Sequence, residues 1–261
     1  LRPRVIAGIS AGAATACMVY ANDSKQTMAY YREVLANNSR NAYWGNLLRR
    51  ERVFPHYGIY RNALLSLFGD SRLERLQEAP EIRIGVAHIP RWSGPRLAVA
   101  AGLLAYNIDK HLLKTLHPRL GRKLGFHPEF VRAQDCRSPE DLADLLLQSA
   151  STPPFTPVLR RGGRAVLDGG LVDNVPVDAL DATPGNVLVL VTRLYPRPRR
   201  FVLEVDGQRR LYLQPSMRVP ISSWDYTRPE AMTHAYDLGC RDAETFLREW
   251  PEIREELLPA S

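Results

Sequence analysis

The feature that most constrains this chain lies at its start. Val5-Ile6-Ala7-Gly8-Ile9-Ser10-Ala11-Gly12-Ala13-Ala14 is an apolar run that enters Gly-x-Ser-x-Gly and leaves into small residues. Val5 and Ile6 suit a buried strand, and alanines at 11, 13, 14 and 16 suit a helix, so the pattern predicts a strand turning sharply into a helix at Ser10. Such an elbow forces the serine into a strained conformation and lifts its hydroxyl out of the sheet. Gly8 and Gly12 are expected to leave room where a Cβ would clash with the neighbouring strand and helix. The first N–H groups of the following helix then lie under the hydroxyl, so an oxyanion formed there meets positive charge, with the Ala11 N–H as the first expected donor.

With 261 residues, 45% hydrophobic and 24% charged, the chain can bury one large core and reads as one domain over 1–261. Its longest apolar run, Leu97 to Tyr106, falls short of the roughly 20 residues that span a bilayer, which points to a cytoplasmic protein, at most peripheral at a membrane. Cys17, Cys136 and Cys240 are odd in number and form no C-x-x-C pair, which argues for reduced thiols and against a disulfide framework or zinc site. The formal charge of +7 invites an anionic partner. Lys110, Lys114, Arg119, Arg122 and Lys123 follow the apolar run directly, with no acid between 110 and 123, and an apolar-then-basic stretch suits the surface of an anionic membrane. No helix-turn-helix, finger or aromatic-interleaved basic motif is present, so nucleic acid is not an expected partner.

Glu81–His88 and Asn186–Thr192 read as strands, the second apolar enough to be buried on both faces. Met28 to Leu48 and Tyr60 to Gln77 show helical spacing, and Ser138-Pro139-Glu140-Asp141 opens a helix through Gln148. Asp206-Gly207 between two apolar runs predicts a two-residue hairpin, and Pro229 to Trp250 a closing helix with Ala231, Ala235, Leu238, Ala243, Phe246 and Leu247 inward. Alternating strands and helices predict an α/β fold with a mainly parallel central sheet.

A serine hydroxyl needs a base to take its proton, and two are available. Asp168 ends the apolar run Ala165-Val166-Leu167 and precedes Gly169-Gly170, which lets the chain turn tightly and leaves the carboxylate at a strand end. His234 supplies the alternative, because Ser10, Asp168, His234 is the chain order of an α/β-hydrolase triad. Against it, His234 sits one turn into an amphipathic helix, where a surface or capping role is expected. His56 and His88 read as structural, while His111, His117 and His127 fall in the basic region.

Asp168-Gly169-Gly170-Leu171-Val172-Asp173-Asn174-Val175-Pro176, taken with Gly-x-Ser-x-Gly, resembles the patatin-like phospholipases. Ser149-Ala150-Ser151-Thr152-Pro153-Pro154 is similar to that family's Ala-Ser-x-x-Pro region, and Asp225 to Ala243 to its closing helix. The resemblance implies a three-layer α/β/α fold and a Ser–Asp dyad without histidine that cleaves acyl esters of phospholipids or related lipids, with no metal or cofactor. The matching positions are Ser10 as nucleophile and Asp168 as base. The family's remaining oxyanion donors come from a Gly-rich loop upstream of the elbow. This sequence begins nine residues before Ser10, and its Gly162-Gly163-Arg164 reads as a hairpin turn. Either the chain is a fragment of a longer protein, truncated at its N-terminus, or it has lost the loop and acts as a weak esterase or a non-catalytic lipid- or protein-binding module.

Overall fold

A computed structural model describes residues 2–69, 71–109, 115–117, 120–222 and 224–257. Strand β1 (Val5–Ile9) enters helix α1 (Ala11–Ala21), followed by α2 (Ser24–Ala36), α3 (His56–Phe68), α4 (Arg72–Gln77), β2 (Glu81–His88) and α5 (Pro95–Asn107). A short α6 (Leu120–Lys123), β3 (His127–Arg132), α7 (Pro139–Ser149), β4 (Leu159–Arg161) and β5 (Arg164–Asp168) come next, then β6 (Val187–Leu190), β7 (Arg200–Val205), β8 (Gln208–Leu213) and α8 (Pro229–Leu257).

The fold is α/β, in three layers. Ile82, Ile84 and Val86 project from one face of β2 into a core shared with α1, α3, α4 and α7. The next residue, Ala87, points the other way and packs with Ala165, Leu167, Phe126 and Ala98 of α5. This is the period-two alternation of a strand covered on both faces. The central sheet is mixed, where the sequence predicted a mainly parallel one. Among the described residues only β1–β2 is parallel there, while β2–β3, β2–β5 and β4–β5 are antiparallel. The Gly162-Gly163 hairpin, both residues at positive φ, sends β5 back against β2, a direction that strand–helix alternation does not encode.

Edge sharing on β2 sets the geometry of the centre. Strand β3 pairs with Arg83 to His88, overlapping both the β1 partners (Glu81 to Gly85) and the β5 partners (Val86 to His88). A strand has two edges, so β3 occupies one, and β1 and β5 lie end to end on the other. Their C-terminal ends meet, with Ile9 opposite Gly85 and Asp168 opposite Val86.

A second sheet orders β6-β8-β7, with α8 on one face through Phe246, Ile253 and Leu211. The Asp206-Gly207 turn forms as predicted, whereas β6 is an edge strand with only Val189 buried and Leu190 70% exposed, not a strand covered on both faces. On α8, Ala231, Leu238 and Phe246 are buried, but Ala243 and Leu247 face solvent. The stretch read as one helix from Met28 to Leu48 ends at Ala36 and resumes as a 3-10 turn, Trp44–Arg49, and the stretch from Tyr60 to Gln77 breaks at Gly69. Helix α7 starts where the cap predicts, with the Asp141 N–H donating to Ser138 Oγ at 3.1 Å.

Candidate active site

Ser10 stands between β1 and α1 with φ 52° and ψ −124°, a conformation that type II′ turns normally give to glycine. A non-glycine residue holds it at a cost of about 1–3 kcal/mol, so the surroundings must enforce it. They do so on both sides. A Cβ on Gly8 would fall 2.7 to 2.9 Å from backbone atoms of Ala13 and Gly12, so only glycine lets α1 start this close to β1. Across the site the Ser10 N–H donates to Ser149 Oγ at 2.8 Å, and that fully buried hydroxyl donates to the Gly85 carbonyl at 2.6 Å. Gly12 behaves differently from expectation: a Cβ there would meet nothing within 4 Å. It lies on the open side of the elbow, one residue past the turn, where no strand or helix approaches.

Asp168 closes β5 directly beyond the end of β1. A Cβ on Gly169 would come within 2.9 Å of Ile9 Cγ2 and 2.7 Å of the Gly85 carbonyl oxygen, and one on Gly170 within 2.5 Å of Asn174 Oδ1. The Gly85 backbone therefore requires glycine at 169 for the turn to nest between the two strand ends, while at 170 the Asn174 side chain would have to move. The Gly170 N–H donates to Asp168 Oδ1 at 2.7 Å. Burial pushes the Asp168 pKa up to about 6, against the pull of the Gly170 N–H, the Ser10 hydroxyl, the Arg193 charge and the Thr152 hydroxyl, all of which favour the carboxylate.

One turn at the end of α7 holds both halves of the site. Ser149 takes the Ser10 N–H, the Ser151 carbonyl accepts the Asp168 N–H at 2.8 Å, and the Thr152 hydroxyl faces the Asp168 carboxylate. These roles were not assigned from the sequence, although the Ser149-Ala150-Ser151-Thr152 run carried the signal. Arg193 was missed altogether. Its guanidinium lies over the Tyr106 ring, 5.6 Å from the centroid, and donates to the Tyr106 hydroxyl.

The Ser10 N–H is committed to Ser149, so it is not a donor for a substrate oxyanion. The Ala11 N–H opens α1, where no intrahelical acceptor exists. Asp173 holds the loop, with the Val175 N–H donating to Asp173 Oδ1 at 2.9 Å. His117 joins Asp173 to the Tyr212 hydroxyl rather than facing solvent with the basic residues. His234 is exposed on α8 and makes no hydrogen bond among the described residues, so the structure does not bring it to Asp168. His56 is buried against the Trp224 carbonyl, and His88 pairs with Glu129. Of the basic segment, Lys110, His111, Lys114 and Arg119 lie outside the described residues, while Arg122 is bound to Asp178 at 2.5 Å. No helix among the described residues is long and apolar enough to cross a membrane.

No curated protein matches the chain. The family model described as patatin-like phospholipase matches residues 1–181, a span that includes the elbow, the α7 turn and the Asp168-Gly169-Gly170 turn. With that match over more than half of its length, the chain belongs to the patatin-like phospholipase family.

Proposed function

We propose that this chain is a serine acyl hydrolase acting on ester bonds of phospholipids or related lipids through Ser10 and Asp168. The observation that carries the reading is the meeting of β1 and β5 on one edge of β2, which sets the elbow serine against a desolvated carboxylate. As Ser10 Oγ attacks the ester carbonyl carbon, its proton passes to Asp168, whose raised pKa makes it a better base than an exposed aspartate. The carbonyl oxygen becomes an oxyanion that accepts from the Ala11 N–H at the positive end of α1. When the tetrahedral centre collapses, the C–O bond to the alcohol breaks and Asp168 returns the proton to that oxygen. Water then repeats the sequence on the acyl-serine, giving up its proton to Asp168 and freeing the fatty acid. This scheme calls for no metal or cofactor.

A fluorophosphonate label and a short-chain ester test it together. Ser10→Ala should take no label. Asp168→Asn should lose about 10² to 10⁴ in hydrolysis, and the double variant should be little worse than the poorer single, because the members of a unit are not additive. His234→Ala should match the parent. Loss of activity in His234→Ala as well as in Asp168→Asn would replace the dyad with a triad.

A further inference from the structure

The 3-10 turn Trp44–Arg49 stands out from the rest of the surface. Trp44 is 66% exposed, Leu47 62% and Leu48 92%, three large apolar side chains within five residues. The turn is not a loose loop that happens to splay outward. The Tyr43 N–H donates to the Val53 carbonyl at 2.8 Å, closing the ends, while the Glu51 N–H donates to the Asn46 carbonyl and Asn46 Nδ2 to the Arg52 carbonyl, both at 2.9 Å. These bonds hold the apolar tip out in water, where it gains nothing for the fold.

Charge says what it faces. From 37 to 58 the chain carries Arg40, Arg49, Arg50 and Arg52 against one acid, Glu51. Arg49 and Arg50 are exposed and form no ion pair among the described residues, and the Arg52 guanidinium lies 5.3 Å from the Tyr57 ring centroid. A tryptophan with two leucines at a tip and unpaired arginines behind it matches the layering of an anionic bilayer, with apolar groups at the acyl boundary and cations among the phosphates.

The tip is also continuous with the candidate active site. The Trp44 ring meets Phe54 at 6.2 Å, Phe54 meets Phe155 at 4.7 Å, and Phe155 stacks on Trp224 at 4.2 Å. Phe155 sits three residues after Thr152, whose hydroxyl faces Asp168. The Tyr60 hydroxyl is buried without a hydrogen-bond partner among the described residues, within electrostatic reach of Asp168.

We infer that residues 43–53 form the membrane-docking element of this protein, seating Trp44, Leu47 and Leu48 in the surface of an anionic phospholipid bilayer with Arg49 and Arg50 on its headgroups. The docking stands on this surface alone. Delivery of a lipid along the aromatic wall to Ser10 rests on the hydrolase reading. The assignment differs from the segment that the sequence favoured, 97–123, where Leu97 and Leu104 are 56% and 64% exposed on α5 but Arg122 is engaged by Asp178.

The test is co-sedimentation of the full chain with vesicles of phosphatidylcholine alone or mixed with phosphatidylglycerol, beside hydrolysis of a monomeric short-chain ester. The parent should bind the mixed vesicles and weaken with salt. Leu47→Ser with Leu48→Ser should cut partitioning at least about tenfold on burial grounds. Arg49→Gln with Arg50→Gln should cut it about fivefold per arginine, and only on the anionic vesicles. Both variants should hydrolyse the soluble ester like the parent. A parent that ignores the vesicles, either variant binding like the parent, or binding lost in Leu97→Ser with Leu104→Ser but kept in the tip variants would overturn the assignment. A parent that binds vesicles and leaves every ester intact removes the hydrolase reading and leaves the docking element standing.

Discussion

Ser10 and Asp206 share a backbone φ of 52°, yet different parts of the molecule hold them there. Asp206 is the first residue of a two-residue hairpin between β7 and β8, followed by Gly207 at φ 76°, and both are exposed. Its conformation is local: Asp-Gly is the pair that a type I′ turn demands, and aspartate tolerates positive φ better than most residues. Ser10 has no such help from its neighbours. It is held by the backbone of α1 against Gly8 and by Ser149, 139 residues away. Strain of the first kind exists as soon as two strands pair. Strain of the second kind exists only when β1, β2 and α7 have all assembled, and so can be built into a reactive position without burdening the hairpins that form early.

The largest effect that sharpens this contrast is at Gly8. A methyl there would sit 2.7 to 2.9 Å from backbone that cannot swing away, so Gly8→Ala should destabilise by about 3 kcal/mol and slow labelling of Ser10. Gly12→Ala, with open space and a helical position, should be neutral or stabilising by up to about 1 kcal/mol. Chemical denaturation of the two variants decides it; equal losses would mean that the elbow is not closed from the α1 side.

Next in size is Ser149→Ala, which strands the Ser10 N–H and the Gly85 carbonyl. Leaving one buried group unpaired costs about 1–3 kcal/mol, so a loss near 2 kcal/mol is expected, together with a lower labelling rate per folded molecule. A stability loss with an unchanged labelling rate would reduce Ser149 to packing and break the claim that tertiary contacts hold the nucleophile.

What could be read from the chain divides along the same line. The Ser138 cap, the Gly162-Gly163 turn and the Asp206-Gly207 hairpin were legible because each is dictated by the residues at that spot, and Ser10 because its Gly-x-Ser-x-Gly setting marks an elbow even though distant residues hold it. The end-to-end meeting of β1 and β5 was not, since apolar content fixes neither strand direction nor which edge two strands share. The two glycines of Gly-x-Ser-x-Gly look equivalent as letters, and only the packing of α1 separates Gly8 from Gly12. Helical spacing likewise ran through 37–43, where α2 in fact ends and the Trp44 turn begins.

Asp168 gives a pH-dependent effect. Its pKa rises from 3.8 to about 6 on folding, so between those values the folded chain keeps a proton that the unfolded chain has released. Stability contributed by this group is therefore full at low pH and lost as pH rises through that window. Activity, which needs the carboxylate, should rise over the same range. Glu129, Asp135 and Asp225 shift the opposite way, so the informative quantity is the parent curve minus that of Asp168→Asn. A difference that is flat between about pH 4 and 6 would mean that the carboxylate is as well solvated as any on the surface.

The finest test places glycine at the two matched positions. Both substitutions remove the side-chain oxygen at position 10, but only glycine relieves a conformation with ψ −124°, so Ser10→Gly should be more stable than Ser10→Ala by about 1 kcal/mol. At position 206 the native turn already suits aspartate and solvent surrounds it, so Asp206→Gly should lie within about 0.5 kcal/mol of the parent, with Ser10 labelled as in the parent. The discriminating measurement repeats the Ser10 pair in the Ser149→Ala background. If Ser149 helps hold the strain, the advantage of glycine over alanine at position 10 should shrink once the hydroxyl is gone and the elbow can relax. An advantage that persists undiminished would place the whole constraint in the Gly8 and Ala13 backbone contact, and the elbow would then be as local as the hairpin.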